Sequence, residues 1–115
     1  MATLPTQPVN RTGVTPTYAA AAGGGDACEV GDDIYLHAKN TTAGAITVTL
    51  AIPASSSAYP NVTYTSTAVS VPATSGDKLI GPISAGLYKD PTTGLCTITY
   101  SGAGLTVGVF KVQAP

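Results

Sequence analysis

Tryptophan is absent from this 115-residue chain, and phenylalanine, methionine and histidine occur once each. Charged side chains make up only 10% of residues, five basic and six acidic, for a formal net charge of −1. An ordinary soluble domain carries roughly a quarter. So few Lys and Arg exclude a basic nucleic-acid-binding face, because neutralising phosphates takes clustered cations. Low charge together with 43% hydrophobic residues excludes disorder of the charged kind. No stretch approaches the roughly twenty uninterrupted apolar residues of a membrane helix, so neither nucleic acid nor membrane is expected as a partner.

Cysteine is scarce too, with Cys28 and Cys96 the only two. The opening MATLPTQPVN lacks a basic stretch followed by an apolar one, so no secretory signal is expected and synthesis in the cytosol is. In that reducing compartment two thiols are expected to be free, small and half-buried rather than bridged. Two thiols with one histidine and no CxxC spacing make a poor zinc set, so no metal is expected.

What the chain has is threonine and alanine: eighteen threonines make Thr its commonest residue. The first 25 residues form one compositional unit and residues 26–115 another. In the first, Pro5, Pro8 and Pro16 fix φ, remove donors and push their predecessors toward extended backbone. The run Ala19–Ala22 is closed by Gly23, Gly24 and Gly25 and is too short to hold a helix alone. Two readings remain open for this unit: a loose terminus and linker, or an extended arm that orders against a neighbouring subunit.

From Asp26 onward, short runs alternate apolar and polar residues between turn signals. Ile34, Leu36 and Ala38 share one face, with Tyr35, His37 and Lys39 opposite. In Ala45–Ile52 the inward set is Ile46, Val48, Leu50 and Ile52, and Asn40–Gly44 joins the two runs as a hairpin. Further strands are predicted over Val62–Thr65, Ala68–Val71, Asp77–Ile83, Leu95–Ser101 and Leu105–Val112. The last two are joined by the tight Gly102–Gly104, and a helical turn is placed at Leu87–Lys89. The fold class is therefore all-β, a small sandwich or barrel of about six or seven strands behind an extended N-terminal arm.

The polar residues offer no convincing catalytic set. Asp26, Glu29, Asp32 and Asp33 cluster near glycine, but without the alternating spacing of a calcium loop, and read as a solvated strand start that discourages mispairing. His37 has no Ser, Cys or Asp at a recognised spacing and reads as a surface strand residue. Asn10, Asn40 and Asn61 match the N-glycosylation pattern and read as turn residues. Of six tyrosines, Tyr18 and Tyr59 lie in arm or loop segments and are the candidates for an interface or a sugar-stacking platform. No catalytic residue and no cofactor are assigned.

Three stretches, in order along the chain, resemble a family of small structural proteins from tailed phages of actinobacteria. They are RTGVTPTYAA (Arg11–Ala20), VPAT followed by GDKLIGP (Val71–Pro82), and the ending Leu95–Val112 with its TITYS strand. Cys28, Cys96 and the serines at 55–57 depart from the family pattern. The resemblance implies a capsid decoration, or minor capsid, protein: a non-enzymatic β-rich domain on the outside of an HK97-type shell. Its expected partners are the major capsid protein and, as a homotrimer, itself, which would place it on the exterior of a virion. Contact is then expected through Arg11, Thr12, Val14, Thr15, Pro16, Thr17 and Tyr18. The alternatives are a neck or tail component and a carbohydrate-binding β-sandwich.

Overall fold

The computed structural model describes residues 2–52 and 66–112. The strand expected at Val62–Thr65, the serine-rich loop at Ala54–Pro60, and Tyr59 lie outside those residues. In chain order the elements are β1 (Ala2–Thr3), β2 (Thr6–Val9), β3 (Ala19–Ala20), β4 (Asp26–Cys28), β5 (Ile34–Asn40) and β6 (Ile46–Leu50). They continue as β7 (Thr67–Val71), β8 (Gly76–Ile80), α1 (Ala85–Tyr88), β9 (Cys96–Tyr100) and β10 (Leu105–Val112). Two sheets result, ordered β1-β4-β9-β6-β7 and β2-β10-β5-β8, with β3 also on β10. The protein is an all-β sandwich, as the alternation predicts.

The inward faces of the first two alternating runs agree at every assigned residue except Ile52, which is half-buried. Leu36, Ala38, Val48, Leu50, Ile98, Val107 and Val109 are buried between the sheets, while Tyr35, His37 and Lys39 sit half-buried on the outer face of β5. This follows from the period of two along a strand, which sends alternate side chains to opposite faces.

Strand neighbours differ from the sequence reading. β5 pairs with β10 and β8, and β6 pairs with β7 and β9. The loop at 40–44 is therefore a crossover between sheets, and the same holds for 101–104 between β9 and β10. Asn40 explains how so short a loop makes the crossing. Its buried amide donates to the carbonyls of Gly44 and Val71 at 2.9 and 3.1 Å, and its Oδ1 accepts from the Thr42 amide and hydroxyl. All of these bonds replace a hairpin ladder that does not form.

The first segment contributes three strands to the sandwich. β1 runs parallel to β4 in one sheet and β2 runs parallel to β10 in the other. Leu4, at the switch between them, is 4% exposed and joins the core, and its amide donates to the Ala27 carbonyl at 2.7 Å. Pro8 is tolerated because β2 is an edge strand. Of the two readings of this unit, neither a loose terminus nor a neighbouring subunit is needed: the backbone that orders the extended segment is this chain's own.

The alanine–glycine run also has a specific conformation. Ala19 and Ala20 pair with Val107 and Thr106, and Gly25, at φ +98°, turns the chain into β4. A Cβ at Gly25 would lie 2.7 Å from the Ile98 carbonyl, so only glycine fits. Asp26 closes the turn. It is 1% exposed, and its carboxylate accepts from the Ala22 amide at 3.2 Å and the Tyr100 hydroxyl at 2.7 Å. Burial, with the Asp26 carboxylate beside it, raises the Tyr100 phenol above its ordinary range. The acidic cluster is thus divided: Asp26 is a structural acceptor, and Glu29, Asp32 and Asp33 are exposed.

Candidate functional site

Between β2 and β3 the chain leaves the sandwich and returns. Residues 10–17 are all exposed, so Arg11, Thr12, Val14, Thr15, Pro16 and Thr17 are displayed together on one protruding loop. Asn10 shapes its start: Oδ1 accepts from the Thr12 amide and hydroxyl at 3.1 and 2.8 Å, and its carbonyl accepts from the Gly13 amide at 3.1 Å. Such Asx turns let a short polar side chain stand in for backbone. Val14 is one of three large apolar residues exposed among those described, with Leu79 and Val112.

Gln7 fastens the neck of this loop. Its amide nitrogen donates to the Thr17 carbonyl at 2.8 Å, and its oxygen accepts from the Thr17 amide at 2.8 Å and hydroxyl at 3.2 Å. One side chain thus imitates a strand, bridging two segments that do not pair directly. Gln7→Ala is expected to lower stability by about 1 kcal/mol, since the bonds are exposed, and to speed amide exchange across 10–17 selectively. Equal exchange in both proteins would show that the loop is held by something else.

Tyr18, the seventh residue of the proposed contact, turns inward. Its ring lies on the outer face of the β2-β10-β5-β8 sheet beside Phe110 and His37, at centroid distances of 5.9 and 5.3 Å. The ammonium of Lys39 sits 4.3 Å from its ring centre, a favourable cation–π placement. Its hydroxyl meets His37 Nδ1 at 2.7 Å, and His37 Nε2 bonds the Asp77 carboxylate. Because a carboxylate only accepts, Nε2 carries a proton, and in the neutral ring Nδ1 accepts from Tyr18. Tyr35 stacks on Phe110 at a centroid distance of 5.5 Å.

Phe110 is 3% exposed although it points away from the main core. It is the floor of a second, small aromatic cluster that clamps the loop's return to the sheet. Gly108, two residues earlier on the same face, makes room: a Cβ there would lie 3.0 Å from the Thr17 carbonyl and 3.2 Å from the Tyr18 ring. Beside it is a cleft of about 80 Å³ lined by Leu4, Gln7, Thr17, Tyr18, Gly108 and Val109 among others.

Chemically this arrangement presents a surface. The cleft lining holds aliphatic groups, amides, the Thr17 hydroxyl bonded to Gln7 and one phenol already engaged with His37. Among the described residues no group of three or more His, Cys, Asp or Glu is placed to hold a metal ion. Tyr18 is not an open sugar platform, since Lys39, Phe110 and His37 surround its ring. Other tyrosines are similarly occupied: Tyr88 meets the Thr67 hydroxyl at 2.6 Å, and Tyr100 bonds Asp26. Sequence reasoning missed Gln7, Gly108 and Phe110, whose roles depend on β10 lying beside the first segment. The solitary phenylalanine on the outward parity of a strand was the one available signal.

Set against known protein families, curated proteins and solved structures, the chain matches none.

Proposed function

We propose that this chain is a non-enzymatic structural protein of a phage virion, a decoration or minor capsid subunit on the outside of an HK97-type shell. The observation that carries this reading is the loop at 10–17: a polar run with a single charge, Arg11, and one exposed valine, held out from a sandwich by Gln7 and Tyr18. It coincides with the first stretch that resembles the phage family. Interface cores are depleted in charge, and a loop whose neck is fixed in advance costs less ordering on binding than a free tail. A lattice subunit must hold a repeated surface, which this geometry serves without a reaction centre. The major capsid protein is the proposed partner, and self-association into a trimer accounts for the low-charge exterior.

The test is co-sedimentation of the purified chain with capsids lacking it, alongside Arg11→Ala and a Val14→Ser/Thr15→Ala double variant. Both alter only exposed side chains, so thermal stability is expected to stay within about 0.5 kcal/mol of the parent. Capsid occupancy is expected to fall at least tenfold for the double variant, the equivalent of about 1.4 kcal/mol. Undiminished occupancy would remove the loop from the interface, and labelling of the tail or neck instead of the shell would overturn the capsid placement.

A further inference from the structure

The two cysteines, separated by most of the chain in sequence, face each other directly across a pair of antiparallel strands. In the register of β4 on β9, Asp26 stands opposite Ile98, Ala27 opposite Thr97, and Cys28 opposite Cys96. Both are free thiols and both are 0% exposed.

The backbone bonds identify the kind of pair. The Ala27 carbonyl accepts from Leu4, on the β1 side, and the Thr97 carbonyl accepts from Ala51, on the opposite side of β9. Ala27 and Thr97 therefore do not bond each other, and the flanking pair Cys28–Cys96 is the hydrogen-bonded one. Such pairs hold their Cα atoms about 5.5 Å apart, inside the window of roughly 4.4–6.8 Å that a disulfide spans and close to its commonest value. The two side chains also leave the same face of the sheet, and closing the bridge takes an approach of the strands by about 1 Å, from the roughly 5.5 Å Cβ separation of such a pair toward the roughly 3.5–4.5 Å of a disulfide.

We propose that Cys28 and Cys96 are a redox pair, dithiol in a reducing medium and an intrachain disulfide in an oxidising one, which staples β4 to β9 after folding. The oxidant is a low-molecular-weight disulfide. One protein thiolate attacks a sulfur of that reagent and expels one reagent thiolate, leaving a mixed disulfide. The second protein sulfur, having lost its proton, attacks the protein-side sulfur and expels the other reagent thiolate. Two protein S–H bonds and one reagent S–S bond are lost, one protein S–S bond forms, and two reagent thiols leave with the protons. The two thiols interact: that contact, together with burial, raises Cys28, and the same contact lowers Cys96; the exchange closes the same bridge whichever sulfur attacks first.

Full burial means that the reagent enters through local opening. Among the described residues β1, of two residues, is the one strand beyond β4 in that sheet, and short edge elements open at low cost. The chemistry stands independently of the virion reading. Only its timing rests on that reading, because a subunit made in a reducing cytoplasm and released at lysis meets the oxidising medium last.

The experiment takes the full chain through unfolding and refolding in a mixture of oxidised and reduced glutathione, so that access limits nothing, with a Cys28→Ala/Cys96→Ala variant alongside. The expected product is a monomer lighter by two hydrogens, with the two cysteine peptides linked. Its Tm should exceed that of the reduced chain by on the order of 10 °C, a gain reversed by dithiothreitol and absent in the variant. Free thiols at the end, glutathione adducts alone, bridges between chains, or a bridged chain that melts below the reduced one would each overturn the proposal. Loss of capsid binding by the loop variants would leave this result untouched, so the two readings fail separately.

Discussion

Deleting residues 2–20 is expected to destabilise the whole sandwich by on the order of 5 kcal/mol, lowering Tm by roughly 20 °C. A free arm would come off without consequence; this segment would not. Leu4 fills the core between the two sheets, and burying a leucine contributes about 1.5–3 kcal/mol. Four residue pairs of β2 on β10 and two of β3 on β10 go with it. Tyr18 leaves Phe110, whose ring is then open to water. Because small domains are stable by only about 5–15 kcal/mol, the truncated chain should sit near its folding midpoint. The bare edge of β10 should also make it prone to association through strand pairing. Urea denaturation of the two proteins side by side decides the matter. An unchanged midpoint would mean that the segment is an accessory and that its place in both sheets contributes nothing. This is why capsid binding has to be tested with side-chain changes on the loop.

Phe110→Ala is expected to cost about 3–5 kcal/mol, the usual range for removing a buried ring, although Phe110 lies outside the main core. Tyr18, Tyr35 and His37 all pack against this one ring, so its loss leaves a gap that β-strand backbones cannot close. The distinguishing result is local. Amide exchange at residues 17–20 and the environment of the Tyr18 ring should change before β6 and β9 do, since those strands belong to the other sheet. Phe110→Leu should recover much of the loss. If Phe110→Ala melts like the parent, the aromatic cluster is not what clamps the loop.

Much of the core was legible in the amino-acid pattern. Ile34, Leu36, Ala38, Ile46, Val48 and Leu50 were assigned inward from alternation and are buried. The exposure of Arg11–Thr17 also agrees with a run of three threonines, one proline and one glycine that lacks any apolar period. The pairing of Ile34–Lys39 with Ala45–Ile52 was misread because a five-residue loop is equally suited to a hairpin and to a crossover. The first segment was underestimated because Thr6–Val9 contains a proline and no clean alternation. Its strand character comes from the β10 edge, which lies a hundred residues further on.

The scarcity of charge and of large rings retains a definite meaning in the folded chain. With one phenylalanine available, the structure places it under the loop, on the outer face, and fills the sandwich with Leu, Ile and Val. By itself the sequence determined the fold class and the faces of Ile34–Lys39 and Ala45–Ile52, because the two-residue period of a strand is a local property of the chain. Tertiary structure alone decided which strands are neighbours, that the first segment supplies strands to both sheets, and that Cys28 meets Cys96. Those outcomes depend on register between segments far apart in sequence, and register is settled by which pairing buries every inward side chain at once.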